Sequence, residues 1–251
     1  MKKIILIGSE GVLGSFYKQR LKISSDLLVV LDLNAKNIIS KNFISKKIDI
    51  TNENDLELFF KFLKKKYKSF DVLINNAAYS SEFALKKKIQ ISKNFAKFET
   101  NLWNEIIQTN LTAVFFTCKL FFKYFHDKNK LQKIINIGSI YGSHSPHHDI
   151  YKSENFFSNI AYTSSKSALI GLTKWLATKY VKEKTNINMV SPSGVYNKQN
   201  KKFIKKYLEL IPTDRMANPI DIFGTIEFLI SDKSNYITGQ NLFVDGGFSS
   251  W

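Results

Sequence analysis

Short apolar runs alternate with longer stretches of helical periodicity along all 251 residues, and that alternation is what most restricts the fold. Residues 3–7, 27–31, 43–48, 71–74, 133–137, 187–190 and 241–244 read as strands. Residues 11–22, 52–66, 102–125, 161–183 and 219–229 read as helices between them. Strand–helix alternation predicts a parallel sheet with helices on both faces, here an α/β doubly wound sheet of seven strands. No internal repeat, low-complexity linker or composition break divides the chain, so one domain over 1–251 is expected. Three irregular stretches, 79–98, 141–160 and 196–217, interrupt the pattern. Ligands bind beyond the C-terminal ends of the strands in such sheets, and all three stretches are expected on that edge.

The first strand runs into Gly8-Ser9-Glu10-Gly11-Val12-Leu13-Gly14 and then a helix. Glycines there let the backbone turn tightly and approach a pyrophosphate, whose charge the helix N–H groups and dipole stabilise. A plain tight turn packing helix on strand would use the same glycines, and a methyltransferase could share them. Asp32 ends the second strand about 20 residues later, where a carboxylate accepts hydrogen bonds from ribose hydroxyls. With Glu10 it repels a 2′-phosphate, which favours NAD over NADP; Lys36 nearby softens that preference.

Tyr162 and Lys166 stand four apart in Ala161-Tyr-Thr-Ser-Ser-Lys166, so on a helix they share a face. A phenol with a pKa of about 10 is a poor proton donor or base near neutrality, and a neighbouring ammonium lowers that pKa. The pair makes a proton-transfer device. An isolated pair of this spacing is more often a half-buried aromatic beside a solvated charge, so its weight comes from the rest of the chain. Tyr151 has Asn155 four residues on and lacks such a partner.

The net charge of +16 suggests nucleic acid, but only Arg20 and Arg215 of the 37 basic residues are arginine, the side chain suited to bidentate phosphate and base contacts. The excess of Lys, Asn, Ile and Phe reflects A/T-rich codons instead. Lys64–Lys66 and Lys86–Lys88 read as solvated faces, and no nucleic-acid partner is expected. Cys118, the single cysteine, sits in an apolar run and reads as core; no metal site is expected from it or from the irregularly spaced His144, His147 and His148. The apolar start at Ile4–Ile7 ends too early for a signal peptide, and no run reaches the roughly 20 residues of a membrane span. A cytoplasmic protein without a membrane partner is expected.

These residues resemble the short-chain dehydrogenases/reductases along nearly the whole chain. Asp49-Ile50-Thr51 is similar to that family's adenine-contacting Asp, and Asn75-Asn76-Ala77-Ala78 to its Asn-Asn-Ala-Gly turn. Trp103 and Asn110 match its helix with a catalytic Asn, and Ile135-Asn-Ile-Gly-Ser139 its strand ending in a catalytic Ser. Ser191-Pro192-Ser193-Gly194-Val195 resembles its loop over the nicotinamide; 215–219 and 237–247 resemble its C-terminal signatures. The resemblance implies a three-layer doubly wound Rossmann fold whose catalytic set is Asn110, Ser139, Tyr162 and Lys166. Tyr162 would act as base or acid, Lys166 would also hold the nicotinamide ribose, Ser139 would bind the reacting oxygen, and Asn110 would support a water-linked proton path from Lys166. Cofactor contacts would come from Gly8, Glu10, Gly11, Val12, Leu13, Gly14, Asp32, Leu33, Asp49, Ile50, Asn76, Ala77, Ala78, Tyr162, Lys166, Pro192, Gly194 and Val195. Three departures stand out: the glycine loop has Ile7 before it and an early middle glycine, Ser193 replaces a glycine, and Ser139 and Tyr162 are 23 apart, an insertion of about ten residues.

That insertion lies between two catalytic residues and should border the substrate, with Ser139, Tyr141, His144, Tyr162 and Arg215 as its contacts. Its Ser-Ile-Tyr-Gly start resembles a subgroup linked to flagellin modification and nonulosonic (legionaminic-type) sugar biosynthesis, which implies a sugar or sugar phosphate. Lys201, Lys202, Lys205, Lys206 and Arg215, in a substrate lid over 196–217, could attract an anionic group. The expected activity is NAD-dependent hydride transfer to or from a hydroxyl or carbonyl carbon. A sugar-nucleotide epimerase or dehydratase, or a non-catalytic nucleotide-sensing protein on the same fold, are the alternatives. The resemblance also implies a homodimer or homotetramer through the helices at 102–125 and 161–183, with Phe115, Phe116, Leu120, Phe121 and Phe122 in excess of one core-facing stripe and residues 248–251 as a second interface.

Overall fold

All seven apolar runs become strands in the computed structural model, which describes residues 2–80, 83–84, 91–152, 154 and 156–250. The strands are β1 (Lys3–Ile7), β2 (Leu27–Asp32), β3 (Ile38–Ile39), β4 (Phe43–Lys47), β5 (Val72–Asn75), β6 (Gln132–Ile137), β7 (Thr185–Pro192) and β8 (Asn241–Val244). They form one sheet in the order β3-β4-β2-β1-β5-β6-β7-β8. The expectation of seven strands is corrected to eight: β3, two exposed residues, runs antiparallel to β4 at the sheet edge. Two residues carry no periodicity to read, and the edge is tied by Asn37, whose Oδ1 accepts the Lys47 N–H at 2.9 Å. All other pairings are parallel.

Helices α1 (Val12–Ser24), α2 (Glu53–Lys66), α3 (Thr100–Ile107), α4 (Ala113–Phe125), α5 (Ile160–Tyr180), α6 (Lys201–Leu208) and α7 (Pro219–Ile230) complete the fold. Alternate strand residues point to opposite faces. Ile5, Val29, Leu31, Leu73, Ile134 and Ile187 pack with Phe60 and Leu63 of α2, Phe121 and Phe125 of α4, and Leu169 of α5. Ile4, Leu6, Leu28, Val30, Ile74 and Ile135 pack with Tyr17 and Leu21 of α1 and Ile222 and Phe223 of α7. Each such side chain contributes about 1.5–3 kcal/mol of burial, and this two-sided coverage is why the strands read as continuous apolar runs. Cys118 lies in the first of these cores, where burial pushes its thiol up to about 12. Lys64, Lys65 and Lys66 are exposed; Lys86–Lys88 lie outside the described residues.

The expected helix at 102–125 is two helices joined by a π turn, Gln108–Thr112, which holds Asn110. The expected helix at 161–183 ends in a 3₁₀ turn, with Lys184 left-handed at φ 57°. The stretch 196–217 is not wholly irregular. It carries α6, whose start is capped by Asn200 accepting the Phe203 N–H at 2.8 Å. Four lysines interrupt its apolar residues, of which Phe203 and Tyr207 are buried and Ile204 and Leu208 pack beside them. Among the described residues no helix is long and apolar enough to cross a membrane.

β1 pairs with β2 on one side and β5 on the other, so the chain order reverses beside it. A crevice opens at that point beyond the strand C-termini, as doubly wound sheets require.

Candidate active site

The crevice holds a cavity of about 930 Å³. Its floor begins at the glycine loop. Gly8 adopts φ +84°, and a β-carbon there would come within 2.4 Å of the Ala77 backbone nitrogen. Asn76 Nδ2 donates to the Gly8 carbonyl at 2.6 Å, locking the loop to the end of β5. Gly11 caps α1 with no side-chain hydrogen bond, and the first turn of α1 has no acidic residue. The N–H groups at that end therefore face the cavity unneutralised, the arrangement that binds a pyrophosphate. The chain thus fits a dinucleotide on its own geometry. Gly14 does not line the cavity: its α-carbon packs behind the loop, where a β-carbon would meet the Gly8 carbonyl oxygen at 2.0 Å. The close approach of α1 to the loop at this point therefore requires a glycine.

Asp32 lines the cavity at the end of β2, its carboxylate held by the N–H groups of Glu10 at 3.0 Å and Asn34 at 2.9 Å. Glu10 also lines it, but Lys18 at 2.6 Å neutralises its carboxylate. Gly11, Val12, Leu13, Leu33, Ile50, Ala77, Ala78, Pro192, Gly194 and Val195 line the same cavity, and Lys36 does not. Asp49 joins them, turned inward by bonds from the Thr51 N–H at 2.9 Å and hydroxyl at 2.7 Å.

Tyr162, Lys166 and Ser139 meet at the far end of this cavity. Asn159 caps α5 by accepting the Tyr162 N–H at 2.9 Å, which fixes where the first turn begins. Lys166, one turn on, is 2% exposed; its Nζ donates to the Ile137 carbonyl at 2.8 Å and lies 5.7 Å from the Tyr162 ring centre. Burial lowers its pKa from the ordinary 10.5 to about 8. Ser139 Oγ accepts the Tyr141 N–H at 3.2 Å, which leaves its own proton free to donate into the cavity. Asn110 is fully buried and does not reach the cavity. Its Oδ1 accepts the Tyr79 N–H at 2.6 Å, and its Nδ2 donates to the Tyr79 carbonyl at 3.2 Å and Ser165 Oγ at 3.1 Å. The side chain thus ties the backbone at residue 79 to α5, and Lys166 bonds directly to the Ile137 carbonyl.

Two expected substrate contacts lie elsewhere. Arg215 forms a two-armed pair with Asp221 at 2.7 and 3.0 Å, outside the cavity, because Asp221 caps α7. His144 packs edge-on against Phe243 and Phe248. Tyr141 does line the cavity, facing an aromatic wall that sequence reasoning missed: Tyr151, Phe156, Phe203 and Tyr207. The Tyr141 and Tyr151 hydroxyls meet at 2.9 Å. Burial pushes Tyr151 up to about 12 and Tyr141 and Tyr207 higher still, so these phenols remain protonated. The inserted segment is pinned by Lys93 Nζ, which donates to the Tyr151 and Glu154 carbonyls at 2.8 and 2.7 Å, and by Asn200, which donates to Glu154. The four-residue spacing of Phe203 and Tyr207 was the available signal for α6. Lys201, Lys202, Lys205 and Lys206 lie outside the cavity, which among the described residues has Lys166 as its one cationic side chain.

A family model described as enoyl-(acyl carrier protein) reductase, of the short-chain dehydrogenases, matches residues 31–249. The 3-oxoacyl-[acyl-carrier-protein] reductase FabG of Buchnera aphidicola subsp. Baizongia pistaciae is 31% identical over 98% of this chain and 97% of its own length. The chain belongs to the short-chain dehydrogenase/reductase family. Another relative in that family is the post-translational flagellin modification protein A of Campylobacter coli, 28% identical over 90% of this chain and 86% of its own. A short-chain dehydrogenase of Leptospira borgpetersenii with bound NAD+ superposes with a TM-score of 0.87 at 32% identity, covering 99% of this chain and 93% of that one. A second member, ElxO with NADP bound, superposes at 0.81 and 25% identity, over all of both chains. This short-chain dehydrogenase/reductase is therefore an oxidoreductase by family, among structures that bind either dinucleotide.

Proposed function

We propose that the protein is a NAD-dependent oxidoreductase acting on a hydroxyl or carbonyl carbon of a sugar. One observation carries the reading. Tyr162 sits over the buried Lys166 in the same cavity that receives the uncapped end of α1 and the Asp32 carboxylate. Gly8, Gly11 and the α1 N-terminus would hold the pyrophosphate, Asp32 the adenine-side ribose, and Lys166 the nicotinamide ribose. When bound, the dinucleotide gives or takes the hydride. Tyr162 Oη gives or takes the proton, and the Lys166 ammonium stabilises the phenolate charge. Ser139 donates its hydroxyl proton to the reacting oxygen and keeps it in place. Asn110 holds the residue-79 backbone that borders the cavity.

NAD is favoured because Asp32 faces the cavity, and no lysine or arginine among the described residues lines that end to accept a 2′-phosphate. A neutral sugar suits the substrate half, where aromatic rings and three protonated phenols stand and, among the described residues, no arginine or unburied lysine lines the cavity to bind a phosphate. The likeness to a flagellin modification protein also supports a carbohydrate role. Association as a homodimer or homotetramer fits the apolar surface left on the outer helices: Phe115 is 46% and Trp175 62% exposed.

A screen of neutral and phosphorylated sugars with NAD and NADP, read by the fluorescence of the reduced nicotinamide, tests this. The expected result is turnover of a neutral sugar with NAD. Turnover confined to a 3-oxoacyl thioester with NADPH would contradict both the substrate and the cofactor assignment.

A further inference from the structure

Tyr207 belongs to the lid helix α6, yet its hydroxyl is committed to the opposite wall. Its Oη accepts the Gly194 N–H at 2.6 Å. The ring lies so close over this residue that a β-carbon on Gly194 would come within 2.7 Å of two ring carbons. Neighbouring backbone groups of this loop are fastened otherwise: the Ser193 N–H to the Val244 carbonyl at 3.2 Å, the Ala217 N–H to the Gly194 carbonyl at 3.1 Å, and Gln199 Nε2 to the Val195 carbonyl at 3.0 Å. The Gly194 N–H is held by a side chain of α6. Tyr207 cannot swing away freely. It is 2% exposed and stacks on Phe203 at 5.5 Å and Phe248 at 6.5 Å between ring centres.

Ser193, which stands where the family has glycine, places its hydroxyl against the same phenol. A glycine there would leave Tyr207 with one partner fewer. Tyr141 also engages Tyr207, and Tyr141 in turn meets Tyr151 of the insertion. One phenol thus joins the lid, the loop after β7 and the wall that follows Ser139.

We propose that Tyr207 is a positioning residue for the cofactor: it sets the 192–195 loop over the nicotinamide half of the cavity and makes lid and loop one body. This rests on the dinucleotide reading above. It adds that helix α6 reaches the nicotinamide end through the Tyr207 hydroxyl, while the adenine end, built from Gly8, Asp32 and Asp49, is independent of it.

Tyr207→Phe keeps the ring packing and removes the acceptor of the Gly194 N–H. Calorimetric titration of the full chain with NADH and with ADP-ribose, which lacks only the nicotinamide, separates the two ends. Loss of one buried neutral hydrogen bond should weaken NADH binding about 3- to 10-fold and leave ADP-ribose within about twofold of wild type. Retained ADP-ribose binding also shows that the variant is folded. Equal weakening of both ligands, or of neither, overturns the assignment. A wild-type protein that binds neither NADH nor ADP-ribose would overturn the dinucleotide reading itself, and this inference with it.

Discussion

The Lys166 ammonium is held where charge is costly, 2% exposed and bonded to a single backbone carbonyl. Burial lowers its pKa from 10.5 to about 8, so the unfolded chain binds this proton more tightly than the native state between those values. The sign follows: the charged form destabilises the protein fully below about 8, and the penalty fades as pH rises to 10.5. Lys166→Met should therefore gain stability relative to wild type at pH 7, and the gain should shrink by up to about 3 kcal/mol by pH 10.5. Urea unfolding of both proteins without cofactor measures it, since other titrations cancel in the difference. A pH-independent difference would show that burial does not govern this lysine. The cost is intelligible at an active site, where a cation beside Tyr162 serves chemistry rather than folding.

At the scale of elements, the glycine loop is where close approach dictates residue type. Gly14→Ala would press a methyl group into the Gly8 carbonyl and should cost about 1–3 kcal/mol of stability while displacing the loop and weakening dinucleotide binding. Thermal unfolding and NADH titration together check this; unchanged values in both would mean that α1 shifts freely. The glycines, Asp32 and the Tyr162–Lys166 pair were legible because each imposes a local rule: a turn, a strand end, a helical spacing. The central strands were legible because both faces are buried. What the sequence hid depends on contacts distant along the chain. The bond between Tyr151 and Tyr141 joins residues ten apart across a loop, a spacing with no local signature. Arg215 resembled a ligand-binding cation because nothing local revealed Asp221 as a cap. The π turn that buries Asn110 follows from its bonds to the residue-79 backbone, 31 positions earlier.

For the whole molecule, the net charge is +16, yet Lys166 is the one cationic side chain lining the cavity among the described residues. The apolar residues left outside tell more. Trp175 on α5 is 62% exposed, and under the proposed association Trp175→Glu should shift the dimer or tetramer toward smaller species in sedimentation velocity. An unchanged distribution would place the subunit contact elsewhere. The central claim concerns the Tyr162 phenol, and removing its oxygen tests it most directly. Tyr162→Phe, assayed with the best substrate of the sugar screen alongside NADH titration, should lose turnover by about 10²–10⁴-fold and bind NADH as wild type does. Retention of a tenth or more of the wild-type rate would contradict the account.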